Sequence, residues 1–341
     1  KFQKLDKENY NMANLDLLSI GDANLDAFIV PSESESLCEI DTKKCLIAFS
    51  YGDKIPVKNL EFCMGGNTAN NAVGTRRLGV NVGAVLTLGD DSTGIQIIEK
   101  LKQEDVDLTY CIQQPATLSN FNIVVTYTGE RTIFTYHAPR SYEFPVQLPK
   151  VPWVYLTSMG ESYRPFYNHI TEWLVKNPDT KLVFNPGSWQ LRGGVKEIGN
   201  VFKLSHLVFV NKQEAEKLTG FEAKDKVTKE LLSALSGLGP KISVITDGSN
   251  GAYVFDGHQF LSCGIMPMDA YERTGAGDAF GSGFLSAVIE GKTLEESLIW
   301  GTVNSASVIG YTGAQKGLLK EKDLDMWIER FKSSGVAVTE M

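Results

Sequence analysis

Short apolar runs alternate with amphipathic stretches along most of this chain. The apolar runs suit buried strands, and they lie at residues 15–20, 82–88, 151–156, 182–185, 207–210 and 242–246. Apolar or small residues recur at helical spacing between them, at residues 66–78, 94–104, 165–176, 212–219 and 226–237. Because parallel strands are joined by helical crossovers, this alternation predicts an α/β fold with a mostly parallel central sheet flanked by helices on both faces.

Two regions, about residues 25–62 and 109–140, break this rhythm. Both are rich in strand-forming residues and turns and carry no helical pattern. We expect them to form a small antiparallel β lid over one end of the main sheet, where a lid would exclude water from a reaction centre. An oligomer edge, or a hairpin without a role in a site, is the alternative.

The composition limits the class of protein. Hydrophobic residues make up 43% of 341, and the net charge of −8 argues against a nucleic-acid partner. Five cysteines without a Cys-x-x-Cys pair favour reduced thiols in a cytoplasmic protein. No apolar run is long enough to span a bilayer, and residues 1–14 lack a signal-peptide core. We expect a polar tail over 1–14, one domain over 15–335, and no membrane association.

The stretch around Asp278 carries the strongest chemical signal. Gly275, Ala276 and Gly277 precede this carboxylate, and a helical apolar pattern follows it. A small-residue turn that opens a helix presents free N–H groups to an anion. A carboxylate at its rim makes sense if it takes the proton from a hydroxyl that attacks a phosphate. An ordinary loop with a helix cap is the alternative.

Polar residues follow the first strand and open the first helix. Asn24 and Asp26 lie where an open α/β sheet binds ligands, beyond the carboxyl end of a strand. Gly65 and Gly66 allow close backbone approach, and Asn70 supplies an amide. These groups suit a polyol, although Asp and Asn also simply favour turns.

Two further motifs follow later strands. Asn211 and Glu214 share a helix face and suit hydrated Mg²⁺, or else form a capping box. The turn with Thr246, Gly248 and Gly251 is placed to contact nucleotide phosphates, or else is a hairpin turn.

Together these motifs resemble the ribokinase family of sugar and nucleoside kinases, also called the PfkB carbohydrate kinase family. Residues 65–72 resemble its N-terminal signature and residues 274–280 its C-terminal signature. Residues 211–214 match its metal and phosphate motif, and the segment with residues 304–306 and 313–315 resembles the part that flanks adenine. The motifs follow the family's order over about residues 15–330.

The resemblance implies a ribokinase-like three-layer fold, ATP and Mg²⁺ as cofactors, and phosphorylation of a hydroxyl on a small sugar. It implies a general base, Asp278, and an anion hole at Gly275, Ala276 and Gly277. The residues implied to bind ligands are, for the sugar, Asn24, Asp26, Gly65, Gly66 and Asn70; for ATP, Asn211, Thr246, Gly248, Gly251, Asn304 and Ala306; and for the metal through water, Glu214.

One departure concerns Glu272 and Arg273, where the family usually has Asp-Thr. The Asp position is linked to a monovalent-cation site in several members, so activation by K⁺ is left open. Arg273 adds a cation that would partly replace K⁺, an idea that a several-fold rise in turnover with K⁺ would contradict.

The acceptor is less defined than the reaction. Arg140 or Arg164 would favour an acidic substrate if its guanidinium binds a carboxylate or a phosphate of that substrate. The alternative is that the arginine is exposed and binds no substrate. An adenosine-type nucleoside is an alternative acceptor. A non-catalytic sugar-binding homologue is an alternative to a kinase. A homodimer formed through the lid is also left open. A dinucleotide-binding oxidoreductase would need a Gly-x-Gly-x-x-Gly after the first strand, which residues 21–26 do not supply.

Overall fold

The structure is a computed structural model of the chain, and it describes residues 3–4, 15–32, 35–39, 44–127, 130–269 and 273–341. The strands in these ranges are β1 (Gln3–Lys4), β2 (Leu17–Gly21), β3 (Asn24–Pro31), β4 (Glu35–Glu39), β5 (Lys44–Ala48), β6 (Val57–Gly65), β7 (Val82–Gly89), β8 (Ile112–Gln114), β9 (Asn120–Tyr127), β10 (Glu130–Tyr136), β11 (Trp153–Leu156), β12 (Lys181–Phe184), β13 (Ser205–Asn211), β14 (Ile242–Thr246), β15 (Ala252–Phe255), β16 (Phe260–Cys263) and β17 (Val338–Glu340). The helices are α1 (Asn67–Arg77), α2 (Ser92–Gln103), α3 (Arg164–Lys176), α4 (Ser188–Leu204), α5 (Lys212–Thr219), α6 (Lys229–Ser236), α7 (Ala276–Ile289), α8 (Leu294–Val308) and α9 (Glu321–Ser333).

The main sheet has the strand order β1-β8-β7-β2-β11-β12-β13-β14-β15-β16-β17. Pairing is parallel from β8 through β14, and β15, β16 and β17 extend the sheet with antiparallel pairs. The prediction of a mostly parallel sheet is confirmed. The parallel part aligns the carboxyl ends of β2, β11, β12, β13 and β14 along one edge, which is where ligands bind in such sheets.

Alternate residues of the central strands enter two separate cores, one on each face of the sheet. In β2, Leu17 packs in one core while Leu18 and Ile20 pack in the other. Helices α1, α2, α7, α8 and α9 cover the first face, and α3, α4, α5 and α6 cover the second. The predicted three-layer arrangement is therefore confirmed.

Helices α1 and α7 approach each other closely, which matters for the site described below. A Cβ added to Gly74 of α1 would lie 2.3 Å from the hydroxyl oxygen of Ser282 on α7. Only a glycine leaves room for this approach. It brings the first turns of the two helices to the same edge of the sheet.

A second sheet, with strand order β10-β9-β3-β6, forms the predicted lid. The pairs β3–β6 and β9–β10 are antiparallel, and the middle pair, β3–β9, is parallel. The reason is geometric: β3 and β9 follow β2 and β8, which run in the same direction in the main sheet. The short strand β8 pairs with β7, so residues 112–114 belong to the main sheet although they lie within a predicted lid segment.

The helix α4 was not predicted, because its sequence interrupts the helical pattern. Gly194 has φ 62° and ψ −173°, a non-helical conformation in the middle of the element.

Of the predicted tail over residues 1–14, only Gln3–Lys4 is described, and its backbone pairs with β8. No helix in the described ranges combines the length and the apolar character needed to cross a bilayer.

Candidate active site

Two cavities meet at the carboxyl edge of the main sheet. The first, here called the lid cavity, has a volume of about 500 Å³. Its wall comes from the β2–β3 turn, the first turns of α1, α4, α5 and α7, and lid strands β9 and β10. The second, the apolar cavity, has a volume of about 360 Å³ and lies between the turn after β14, residues 264–268, α7 and α8. Thr246 and Gly277 line both cavities.

The start of α7 is shaped by Gly275. This residue caps the helix with φ 79° and ψ 0°, a left-handed conformation that is unfavourable for residues with a Cβ. A Cβ at Gly275 would also lie 2.3 Å from the Cβ of Ala314. No side chain caps this helix end. The Ala276 N–H makes one long backbone contact, 3.4 Å to the carbonyl of Arg273. Gly277 and Asp278 line the lid cavity, so the positive end of the helix dipole faces it.

Asp278 lies in the first turn of α7 and is held by two amides from α1. The Nδ2 of Asn67 donates to Asp278 Oδ1 over 3.0 Å, and the Nδ2 of Asn70 donates to Oδ2 over 2.7 Å. Each amide is itself oriented, since Ser158 donates to Asn67 Oδ1 over 3.1 Å and Gln315 donates to Asn70 Oδ1 over 2.8 Å. The carboxylate is therefore fixed in place at the wall of the lid cavity.

Burial raises the pKa of Asp278 above its ordinary value of 3.8, and the hydrogen bonds from Asn70 and then Asn67 oppose that rise. The two amides stabilise the ionised carboxylate, because each donates to it. Asp278 accordingly combines a pKa above its ordinary value with a fixed orientation, and both properties favour a general base.

The predicted sugar-binding residues divide into two groups. Asn24 and Gly66 line the lid cavity. Asp26 lies behind Asn24 and accepts hydrogen bonds from the side chains of Asn24 and Asn122. Gly65 pairs with Asn24 in the β3–β6 ladder. Asn70 is 4% exposed and has its donor on Asp278, so it positions the carboxylate and does not form the cavity wall.

Asn211 and Glu214 form a capping box at the start of α5. The side chain of Asn211 accepts from the Glu214 N–H over 2.9 Å, and Glu214 Oε2 accepts from the Asn211 N–H over 2.9 Å. Both residues also line the lid cavity, so the capping role and a ligand role are compatible. Burial raises the pKa of Glu214 above its ordinary value. The hydrogen bond from the Asn211 backbone lowers this pKa, and the charge of Asp278 raises it further.

The apolar cavity contains most of the residues predicted to contact ATP. Thr246, Gly248, Gly251 and Ala306 line it. The sequence did not single out its apolar wall, which comes from Ile265, Met266, Met268, Phe280 and Ile309. This wall suits a planar ring. The exposed Arg273 lies at the same cavity, and Glu272 falls outside the described residues.

Two residues predicted to contact ligands, Asn304 and Arg140, lie outside both cavity walls. Asn304 is fully buried, and it bonds the carbonyl of Ala279 and the N–H of Leu319 instead of lining the apolar cavity. The guanidinium of Arg140 donates to the backbone carbonyls of Thr87, Leu118 and Ala138 and to the Asn120 side chain.

Arg140 thus ties the lid connection to the main sheet and lies outside both cavity walls. The other candidate for an acidic substrate, Arg164, is exposed and pairs with Glu197 over 2.9 Å.

Several cavity residues were missed or left unassigned. The lid contributes Asn120, Asn122, Thr135 and His137, and the β2–β3 turn contributes Asp22. Polar residues two positions apart in an otherwise apolar strand share one face. Asn120 and Asn122 could therefore have been predicted from the sequence to face a polar cavity. Other wall residues, such as Trp189 at the start of α4, follow the predicted strand β12, but no motif marked them.

Comparisons with known proteins agree with this geometry. An ATP-dependent 6-phosphofructokinase of Thermoanaerobacterium thermosaccharolyticum is 28% identical over 282 residues, which cover 79% of this chain and 86% of that protein. A ribokinase of Haemophilus influenzae is 25% identical over 279 residues, covering 78% and 88%. The Arabidopsis thaliana ribokinase, solved with ribose and ATP, has a TM-score of 0.76 at 20% identity, covering 93% and 99%.

The solved structure confirms the ribokinase-like fold. The profile of the family described as pfkB family carbohydrate kinase matches residues 34–321, which is most of the chain. The chain therefore belongs to the pfkB family of carbohydrate kinases.

Proposed function

We propose that this kinase transfers the terminal phosphoryl group of ATP to a hydroxyl of a small sugar or sugar-like molecule bound in the lid cavity. One observation carries the proposal: an oriented carboxylate, Asp278, lies in the wall of the lid cavity next to Gly277, which lines both cavities. A nucleotide in the apolar cavity and an acceptor in the lid cavity would meet at this point.

The proposed chemistry rests on positioning and electrostatics, as is general for phosphoryl transfer. Asp278 takes the proton of the attacking hydroxyl. The N–H groups at Ala276 and Gly277, with the dipole of α7, stabilise negative charge on the moving phosphoryl group. The lid excludes water, so that the acceptor hydroxyl and not water attacks the phosphate.

The nucleotide would lie in the apolar cavity. The ring would contact Ala306 and the apolar wall, and the phosphates would pass Gly248 and Gly251 towards Thr246. This orientation is supported by the fact that Thr246 also lines the lid cavity. A cytoplasmic location, where ATP is plentiful, is part of the proposal.

The residues present fit Mg²⁺ bound mainly through phosphate and water. The described residues contain no group of three or more His, Cys, Asp or Glu side chains placed to hold a metal ion. Mg²⁺ in kinase sites usually has one or two carboxylate contacts, direct or through water. Glu214 in the cavity wall would supply one such contact, and Asn211 lies beside it. The ion would neutralise charge on the ATP phosphates.

A nucleoside acceptor is the second candidate. The lid cavity has aromatic and apolar wall residues, Trp189, Phe209 and Ile133, on which a base would stack. An assay of ADP release with ribose, fructose and adenosine separates the two candidates, and no release with any acceptor would favour a non-catalytic homologue.

The pH dependence tests the role of the α1 amides. In Asn70→Ala, loss of a donor to the ionised form raises the pKa of Asp278 further. A general base works only when it is ionised, so the acid limb of the kcat/KM profile should move to higher pH. Asn177→Ala, which removes an amide at the end of α3, is the control. A lower kcat with an unmoved acid limb would show that Asn70 does not act through Asp278.

We also propose that the chain forms a homodimer through the outer face of the lid. Cross-strand partners place Phe62, Ile123 and Phe134 in one row on that face, and they are 52%, 39% and 59% exposed. An apolar row of this kind on a sheet marks an interaction surface.

The Phe134→Glu variant should therefore be monomeric. A charge in the row would have to be desolvated in the interface, so light scattering should give the 37.5 kDa of one chain for the variant and twice that mass for the wild type. Val146→Glu changes a fully exposed apolar residue outside the lid strands and is the control. A monomeric wild type would refute the dimer.

A further inference from the structure

The wall of the lid cavity has an unusual distribution of charge. Its acidic residues include Asp22, Glu214 and Asp278. None of the described residues that line it is Lys or Arg, and its imidazole belongs to His137. Recognition of a phosphate or carboxylate by protein side chains generally uses Arg or Lys. This wall offers no such partner.

The guanidinium that acts electrostatically on Asp22 already has other hydrogen-bond partners. Arg140 is within electrostatic reach of Asp22, but its guanidinium donates to the Thr87 and Leu118 carbonyls and to Asn120 Oδ1. Moving it to an anionic ligand would leave these acceptors without their donor. Arg131 lies further out on β10, is exposed and does not line the cavity.

Two polar oxygens in the wall have no partner. Asn122 Oδ1 and Asp22 Oδ1 are both buried without a hydrogen bond. The orientation of the Asn122 amide is fixed, because its Nδ2 donates to the carboxylate of Asp26 over 2.8 Å. The orphan atom is therefore an oxygen, and it can only accept.

Asp22 is anchored in the same way through its other oxygen. Tyr142 donates its hydroxyl to Asp22 Oδ2 over 2.7 Å, and the Gly160 N–H donates to it over 3.0 Å. Asp22 as a whole is 7% exposed. Buried polar atoms without partners are rare and often mark a place that a ligand or water completes. What both atoms lack is a hydrogen-bond donor.

We propose that the acceptor is an uncharged polyhydroxylated molecule whose hydroxyls donate to Asn122 Oδ1 and Asp22 Oδ1, and that these two residues select it over phosphorylated or carboxylated sugars. The inference rests on the proposed function and narrows its substrate class. The phosphate dianion or carboxylate of a charged sugar offers only hydrogen-bond acceptors, so that group cannot donate to Asn122 Oδ1 or Asp22 Oδ1. Such a group would also add negative charge beside Asp22 and Asp278. The similarity to a 6-phosphofructokinase therefore does not extend to a phosphorylated acceptor.

Matched pairs of sugars test the substrate class: ribose with ribose 5-phosphate, fructose with fructose 6-phosphate, and glucose with gluconate. We expect kcat/KM to favour the uncharged member of every pair by about a hundredfold or more, as when a site is built to hydrogen-bond hydroxyls. Preference for the charged member of any pair would overturn the inference. Thermal shift with the same compounds measures binding without turnover. If uncharged members alone raise the melting temperature while none releases ADP, the proposed phosphoryl transfer fails, whereas the preference of this cavity for uncharged sugars stands.

Asp22→Asn tests the residue assignment. Tyr142 and Gly160 both donate, so the new amide must turn its oxygen to them and its NH₂ to the position of Oδ1. We expect the KM for the preferred sugar to rise about tenfold to a hundredfold, and the preference over its charged partner to shrink by a similar factor. The KM for ATP should stay unchanged. Asp325→Asn on the exposed face of α9 removes the same charge and is the control. Unaltered preference in folded Asp22→Asn protein would refute the role of Asp22.

Discussion

Replacing Asp278 with Asn is expected to lower kcat by about 10²–10⁴-fold, the usual contribution of a general base. The amide cannot take the proton of the acceptor hydroxyl. It also offers a single acceptor oxygen to Asn67 and Asn70, which both donate to Asp278 in the wild type. One of these donors loses its partner, so a loss of stability of about 1–3 kcal/mol should accompany the loss of activity.

Single-turnover kinetics at a temperature where the variant is folded measure the chemical step, and calorimetry measures ATP binding separately. ATP binding should stay within a few-fold of the wild type, because Asp278 lines the lid cavity and not the apolar cavity. Glu290→Gln removes a carboxylate at the other end of α7 and is the control. Near-normal turnover in Asp278→Asn would show that another group takes the proton.

Replacing Gly275 with Ala is expected to have the second largest effect, through the backbone. A left-handed conformation at φ 79° costs about 1–2 kcal/mol for a residue with a Cβ. The 2.3 Å approach to the Cβ of Ala314 adds an overpacking cost of about 1–3 kcal/mol. The start of α7 must therefore shift, and with it the N–H groups and Asp278 that the site depends on.

Urea denaturation should show a loss of about 2–5 kcal/mol for Gly275→Ala, and turnover should fall together with stability. Gly281→Ala is the matched control on the same helix, because an added Cβ there meets nothing within 4 Å. In a helix interior Ala is preferred over Gly by about 0.5–1 kcal/mol, so this variant should be as stable as the wild type or more so. Equal stability of the two variants would contradict the assigned role of Gly275.

Regular features of the fold could be predicted from the sequence. Apolar or small residues recur regularly in the strands β2, β7, β11, β12, β13 and β14 and in the helices α1, α2, α3, α5 and α6. The observed positions of these elements match the predicted ones closely. The lid was predicted from the lack of helical pattern, but its parallel β3–β9 pair was not. That pair depends on the directions of β2 and β8 in the main sheet, which local sequence does not specify.

The residues of the site could be predicted where one continuous sequence motif contains them. Contacts between side chains that are distant in the sequence could not be predicted. Asp278 and Gly275 belong to one continuous motif. The bond from Asn70 to Asp278 joins residues that are 208 positions apart, so a sugar-binding role for Asn70 was equally plausible from sequence. Arg140 looked like an anion-binding residue, because nothing in the sequence shows that distant backbone carbonyls use its donors.

The most direct test of the proposed function is the identity of the product. Phosphorus NMR of the enzyme with ATP, Mg²⁺ and the sugar preferred in the paired panel should show a new phosphomonoester that accumulates in equal amount to ADP. Asp278→Asn protein should form neither product at a comparable rate. Formation of ADP with inorganic phosphate alone, or no consumption of ATP with any sugar or nucleoside, would contradict transfer to an acceptor hydroxyl at Asp278.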